Sequence, residues 1–403
     1  MATGVSTLGQ ALARIDRINV QQTQLNDLST QLATGKKTQK FSGLGTDVLT
    51  SKRARADFQS LDVYKNNIKN ASRRISLMLN AVKEFQEQTR NFLGSINLVA
   101  QQADHEANGV NILSYDDPTT PNVIETTKIG VDSAEMSVDF QSMTSLASTV
   151  YDFLETLLNV QDGDRYLLSG AETSTEPFTD TGTLDAAISS QISDWKAGTV
   201  STDQIIQNLN DRDASTNPGA VTDSIIGYSA PLSSANAGNI FVRADDNLEV
   251  EYTTLANEEP FRDIMVAVSY FKNENLPPIS DVYEPPNVPT PPFSPDIQGA
   301  PGADNQEKQE NFFQVLNTLS GVVNNALDQL DLVVFKLSSA QGRITELGIQ
   351  HSEEQNLLQG VISDVEDADQ NEVALKLNTI LTQLEASYAV TSRVQQLSLV
   401  NYI

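Results

Sequence analysis

Cysteine is absent from this chain, and with it every disulfide and every thiolate metal site. Histidine is nearly absent: His105 and His351 are the only two, too few for the imidazole clusters that bind metals or carry general acid–base chemistry. No apolar run approaches the roughly 20 residues that span a bilayer, which argues against membrane insertion. The N-terminus shows no basic stretch followed by an apolar one, the mark of a cleaved secretory signal. Proline is missing from both flanks, because all 15 prolines lie between Pro118 and Pro301.

Without proline, the flanks are free to carry long helical repeats. Ile68, Ala71, Ile75, Met78, Val82, Phe85, Thr89, Phe92, Ile96 and Val99 step by three and four, the spacing of a left-handed supercoil seam. The rhythm returns near the other end at Leu316, Leu319, Val323, Ala326, Leu330, Val333, Leu337, Ala340, Ile344 and Leu347. It continues through His351, Glu354, Leu358, Val361, Val365 and Ala368. A single helix cannot bury so long a stripe, so the two runs are predicted to pack on each other. That pairing joins the chain's two ends and sets the residues between them apart as a separate body. The expected fold is mainly α: a long antiparallel coiled-coil rod formed by N- and C-terminal segments, with an inserted, mixed α/β and β-rich outer head.

Outside the rod, each terminus has one more helix. Thr7 to Ala33 places Leu8, Leu12, Ile15, Ile18, Leu25, Leu28 and Leu32 on one side, and Gly35 supplies a stop. At the other end, Asp369 and Glu372 have the spacing of a capping box. Val373, Leu377, Ile380, Leu381, Leu384, Tyr388, Val394 and Leu397 follow, and the chain closes on Leu397 to Ile403, with Val400 and Tyr402 among its apolar residues. Narrow apolar stripes between small polar residues suit packing among many identical helices, although a surface helix of a globular domain shows the same pattern. An apolar terminus left exposed is a liability in a monomer and an asset in an assembly.

Composition divides the chain in the same way. The expected partition is residues 1–45 and 369–403 as the two parts of an inner domain, 46–175 with 307–368 as the rod with hairpin elements, 176–276 as the head, and 277–306 as a return linker. Nine prolines fall between Pro277 and Pro301, which favours an extended leg over a packed fold. Residues 1–103 carry 14 basic and 7 acidic side chains and residues 307–403 carry 5 and 13, leaving 7 of the 26 basic and 33 of the 53 acidic ones in between. A head that acidic repels nucleic acid and anionic membranes. The oppositely charged rod halves favour pairing.

Little in the chain points to catalysis. No Gly-x-Ser-x-Gly, P-loop or metal-ligand spacing occurs. The glycines and lysines between Gly35 and Asp47 lack the strand and the Gly-Lys-Ser/Thr order of a phosphate loop, and read better as a spoke between two layers of helices. Acid pairs such as Asp162/Asp164 and Asp245/Asp246 could bind calcium or work as acid and base. Among 33 acidic residues, chance adjacency accounts for them better. No catalytic, cofactor or metal residue is therefore assigned.

Three stretches carry a family resemblance. Gln31-Leu32-Ala33-Thr34-Gly35-Lys36-Lys37 resembles the helix-ending turn of the flagellin superfamily. Asp162 to Gly170 with Glu176-Pro177-Phe178, and the ending Leu397 to Ile403, resemble the members of that family that join hook to filament. Leu168 stands where Phe is usual, and Asp164 where Gly or Asn is. The resemblance implies a subunit exported without a cleaved signal through the flagellar type III apparatus, escorted by a cytosolic chaperone, and located outside the cell. It implies self-association in a ring through terminal helices that build an inner tube, with hook-associated protein 1 and flagellin as neighbours. A filament-forming flagellin is the near alternative, and an acidic surface protein binding glycans or ions the distant one.

Overall fold

The computed structural model describes residues 7–107, 112–116, 124–128, 133–274, 301 and 305–400. Two compact units account for them, one of residues 67–347 and one of residues 1–66 with 348–403. Apart from Pro301 and the start of the last rod helix, the expected proline-rich linker lies outside the described residues.

The larger unit is built on two long helices. Helix α1 spans Thr7–Thr34 and α2 spans Val48–Ala107, and the part of α2 from residue 67 onward belongs here. Strands β1 (Ile112–Asp116) and β2 (Ile124–Lys128) form an antiparallel ladder with Ile112 opposite Lys128. Helix α3 (Ser133–Leu158) follows, and the unit closes with α9 (Asn305–Glu366) up to residue 347. Polar pairs fix the direction of the rod. The Gln341 amide donates to Ser72 Oγ at 2.5 Å, the Gln86 amide to Asp331 Oδ1 at 2.8 Å, and Ser320 Oγ to Asn97 Oδ1 at 2.8 Å. Numbers fall on α9 as they rise on α2, so the two run antiparallel. The predicted seam is the core here: Ile68, Ile75, Val82, Phe85, Phe92 and Ile96 are buried with Leu319, Val323, Leu330, Leu337 and Ile344.

The insert packs directly on that rod, where the sequence pattern suggested a separate body. Helix α2 buries Ala81, Gln86 and Leu93 beside its seam residues, a stripe wider than one partner helix covers, so a third layer is needed. Helix α8 (Glu259–Asn273) supplies it, with Phe261 edge-on to Phe85 at 5.1 Å and Phe271 edge-on to Phe92 at 5.6 Å. Between α3 and α8 lie β3 (Gln161–Asp162), β4 (Arg165–Tyr166), α4 (Thr183–Lys196), α5 (Thr202–Asn210), α6 (Asp223–Ile226), α7 (Ala230–Ser233), β5 (Phe241–Asp245) and β6 (Leu248–Glu251). In the sequence, the apolar-alternating runs Ile240 to Arg243 and Leu248 to Tyr252 flank the turn residues Asp245 to Asn247, a hairpin pattern, and they form β5 and β6 with Val242 opposite Val250. The mainly α class holds. Among the described residues, strands are confined to three two-stranded ladders, fewer than a β-rich head would carry.

Polar anchors hold the irregular part of the insert. Arg262 is fully buried and donates to the carbonyls of Asp211 at 2.7 Å and Val221 at 3.0 Å, tying two loops to α8. Lys196 pairs with the buried Glu274 at 2.5 Å. Desolvation pushes the Glu274 carboxyl above its ordinary range, although the Lys196 ammonium opposes it. Asp162 is engaged by Arg73 at 2.8 Å and Arg74 at 3.2 Å, so this member of the Asp162/Asp164 pair pins the β3–β4 turn to α2.

In the smaller unit, residues 48–66 of α2 and 348–366 of α9 continue as a two-helix coil, and α1 lies against α10 (Gln370–Val400). The seam on α2 begins earlier than predicted, at Ser51, Ala54, Leu61 and Tyr64. On α9 it changes phase after His351. Gln355, Ile362 and Glu366 are buried, whereas Val361 is exposed and Glu354 faces solvent. The expected positions Glu354, Val361 and Val365 are thus each displaced by one residue. Steps of four, three, four and four straighten the coil relative to a strict heptad, and Leu358 remains half-buried within it.

Candidate assembly site

The terminal helix pair sits in the smaller unit. Helix α1 stops where Gly35 takes φ 70°, a left-handed conformation that favours glycine, and the Gly35 N–H closes the last turn on Gln31 O at 2.8 Å. At the start of α10 the Asp369 carboxylate accepts from the N–H groups of Asn371 at 2.9 Å and Glu372 at 3.2 Å. The return half of the capping box is replaced, because Glu372 turns to Lys376 at 2.6 Å.

The two helices run antiparallel, since Arg14 and Ile18 share a groove with Ser387 and Thr391 while Leu28 and Gln31 share another with Leu375 and Thr379. Gln22 donates to the Tyr388 hydroxyl at 2.7 Å, and Ser387 Oγ donates to Gln21 Oε1 at 3.3 Å. Of the residues predicted for assembly, Ile18, Leu25, Leu28 and Leu377 are half-buried at this contact and Leu384 is buried. Leu12, Ile15 and Leu32 on α1, and Leu381 and Tyr388 on α10, are exposed, with Leu12 at 54% and Ile15 at 53%. Val20, Leu375, Val390 and Val394 add to the uncovered apolar surface. A groove of about 500 Å³ opens between the helices, lined by Leu28, Leu375 and Ile380 among others. Tyr402 and the side chains of Leu8, Leu397 and Val400 lie outside the described residues. The predicted stripe is therefore divided: part closes the pair and part is presented outward.

Between this pair and the coil, the two connectors are clasped together. Lys36 and Asp367 form an antiparallel bridge, with the Lys37 N–H on Glu366 O at 2.7 Å and the Ala368 N–H on Gly35 O at 2.8 Å. The Glu366 carboxylate accepts from Ser51 Oγ at 2.6 Å and from both Arg55 Nε at 2.6 Å and Nη2 at 2.5 Å, with Lys36 Nζ at 3.5 Å. Hydrogen bonding from the Arg55 guanidinium, against some desolvation, holds the Glu366 carboxyl down at about 2. Lys36 Nζ also meets Asp367 Oδ1 at 2.5 Å, which lowers the Asp367 carboxyl and raises the Lys36 ammonium. Residues 41–47 wind as 3-10 turns broken by a kink at Gly45, where φ is 61°, and α2 follows at Val48. This clasp was not among the residues picked from the sequence. Its signal was present in two lysines following one helix stop and an acidic run, Asp364 to Asp369, preceding the facing helix start.

His351, placed on the seam by its spacing, is buried 6.0 Å from the Tyr64 ring. Among the described residues, no group of three His, Cys, Asp or Glu side chains could hold a metal ion, and no helix is long and apolar enough to cross a membrane.

Residues 320–403 match the bacterial flagellin C-terminal helical region. The match covers the later part of α9 and all of α10, which supply one side of the coil and one terminal helix. A solved structure of a proposed flagellar hook-associated protein from Vibrio parahaemolyticus is similar at 12% identity and a TM-score of 0.41, over 79% of this chain and 97% of that one. No curated protein matches the chain.

Proposed function

We propose that this chain is a structural subunit of the bacterial flagellum that acts as the adaptor at the hook–filament junction. The observation that carries the reading is the terminal helix pair: it leaves Leu12, Ile15, Leu381 and Tyr388 uncovered, and its second helix, α10, lies within the match to the flagellin C-terminal helical region. Apolar surface of this kind gains free energy when neighbours cover it. Copies arranged in a ring would cover it mutually, building an inner tube from the paired helices. Within the flagellin type, the junction role draws on the stretches Asp162 to Gly170 and Leu397 to Ile403, which resemble those of hook-associated protein 3. Hook-associated protein 1 below, flagellin above and a cytosolic export chaperone before assembly are the partners this role entails. The location is extracellular, and the work is geometric rather than catalytic.

Removal of Leu397 to Ile403 tests the role. The truncated protein should remain soluble and helical yet fail to dock, and cells carrying only that version should keep hooks, shed flagellin into the medium and lose motility. Normal filaments on such cells would rule the junction role out. Labelling the protein on isolated flagella separates junction from filament, since a filament-forming flagellin would decorate the whole length.

A further inference from the structure

The coil of the smaller unit encloses one titrating side chain that the proposed role does not use. His351 on α9 is 3% exposed, at the place where the seam changes phase, and the buried Tyr64 ring faces it from α2 with ring centres 6.0 Å apart. One turn along α9, the buried Gln355 accepts from the Lys65 ammonium of α2 at 2.8 Å, which brings a positive charge to the edge of the same seam. The carboxylates that flank Tyr64 and His351 in sequence, Asp62, Glu353 and Glu354, are exposed, and water weakens their pull on a charge inside. The seam here also includes Ser51 and Glu366, so it has less apolar burial than the rod to set against a new charge.

We propose that His351 is an acid-operated catch: a proton taken up by its imidazole opens the coil of residues 48–66 and 348–366 locally, while the core of residues 67–347 stays closed. An imidazole in water changes charge at about pH 6.5, so mild acid suffices. Protonation turns the acceptor nitrogen of the ring into a donor and places a cation in a seam shut from water, near the Lys65 ammonium. The open coil bears that cation in water, so proton uptake and opening favour each other. Two features set this response apart from the rest of the molecule. The clasp stays ionised over the same range, because the Arg55 guanidinium holds the Glu366 carboxyl down at about 2. In the larger unit, burial raises the Glu258, Asp263 and Glu274 carboxyls, so proton uptake there favours the folded form and acid acts in the opposite sense. The catch is a property of the single chain and is independent of which flagellar segment it occupies.

Hydrogen–deuterium exchange on the dilute full chain, read as amide protection relative to the unstructured rate at each pH, measures the opening. Between pH 7 and pH 5, protection of residues 54–64 and 351–358 should fall roughly five-fold or more, while that of residues 75–92 and 323–344 should hold within about two-fold. His351→Gln keeps a polar side chain that takes up no proton, so the fall over this range should disappear whatever the variant's overall stability. His351→Phe, which sets an apolar ring beside Tyr64, should show the same flat response and covers the case in which the glutamine variant leaves the coil unprotected at both pH values. His105→Gln and Glu366→Gln should keep the parent's fall, the first because it removes the other histidine and the second because the clasp does not titrate here. Equal coil protection at pH 7 and pH 5 in the parent overturns the proposal, and so does a parent-like fall in either His351 variant.

Discussion

Two stretches of the same helix pair solve the same problem with different materials. In residues 67–347 the seam is Ile75, Met78, Phe85 and Phe92 against Val323, Leu330, Leu337 and Ile344, all closed from water, with α8 covering the remaining side. In residues 48–66 and 348–366 the buried positions include Ser51, His351, Gln355 and Glu366, and their polar groups are held by hydrogen bonds and ion pairs. At roughly 25 cal/mol per Å² of apolar surface buried, the first stretch derives its stability mainly from desolvation. The second derives less, because a hydrogen bond contributes only about 0.5–1.5 kcal/mol net. One unit draws its stability from a closed apolar core, and the other holds its geometry through directed polar contacts.

The largest effect should come from charging the apolar seam. Ile75 is wholly buried, so Ile75→Asp places an unpaired carboxylate in the core at a cost of roughly 3–5 kcal/mol or more. Loss of helicity and of the cooperative melt by circular dichroism is expected. A parent-like melting curve would show that this core does not hold the rod.

Limited proteolysis sharpens the contrast next. No described side chain of α1 is fully buried, and ordering a residue costs about 1–2 kcal/mol, so the terminal pair should open locally far more often than the rod. Dilute protein should lose both ends to protease while residues 67–347 persist. Equal resistance of ends and rod in a monomer would contradict this account.

A smaller effect is expected at the clasp. Glu366→Gln should cost about 1–3 kcal/mol, because Arg55 and Lys36 lose a charged partner but remain partly in water. The pH dependence has a definite sign. The folded Glu366 carboxyl sits at about 2, below the ordinary 4.5, so its contribution is complete above 4.5 and is lost as pH falls from there towards 2. Asp367, also lowered, acts in the same direction. Urea titrations between pH 7 and 3 should show a weaker acid loss in the variant, and identical slopes would mean that the clasp carbonyls rather than the carboxylate hold the connectors.

The smallest change is Gln355→Leu. Its amide donates to Phe58 O at 3.2 Å and accepts from Lys65 at 2.8 Å. Added apolar burial offsets the lost hydrogen bonds, so stability should move by less than about 1.5 kcal/mol. If polar seam residues set the register of this coil, the variant should melt less cooperatively even where its midpoint does not move.

The rod, both terminal helices and the β5–β6 hairpin were legible because each rests on a local period or turn: three-four spacing, the glycine stop at Gly35, the Asp369 cap, the turn around Asp246. The outward and inward shares of the terminal stripes were not, since periodicity marks a residue as apolar without saying whether its partner lies in the same copy. Three features were settled by tertiary contacts alone. The seam changes phase after His351 because Glu366 is drawn inward to Ser51 and Arg55. The insert sits on the rod because α2's buried stripe is too wide for one helix to cover. The Lys36–Glu366 clasp joins residues 330 apart in the chain. Each depends on which surfaces the folded chain brings together, and helical or strand periodicity holds no information about partners at such separations.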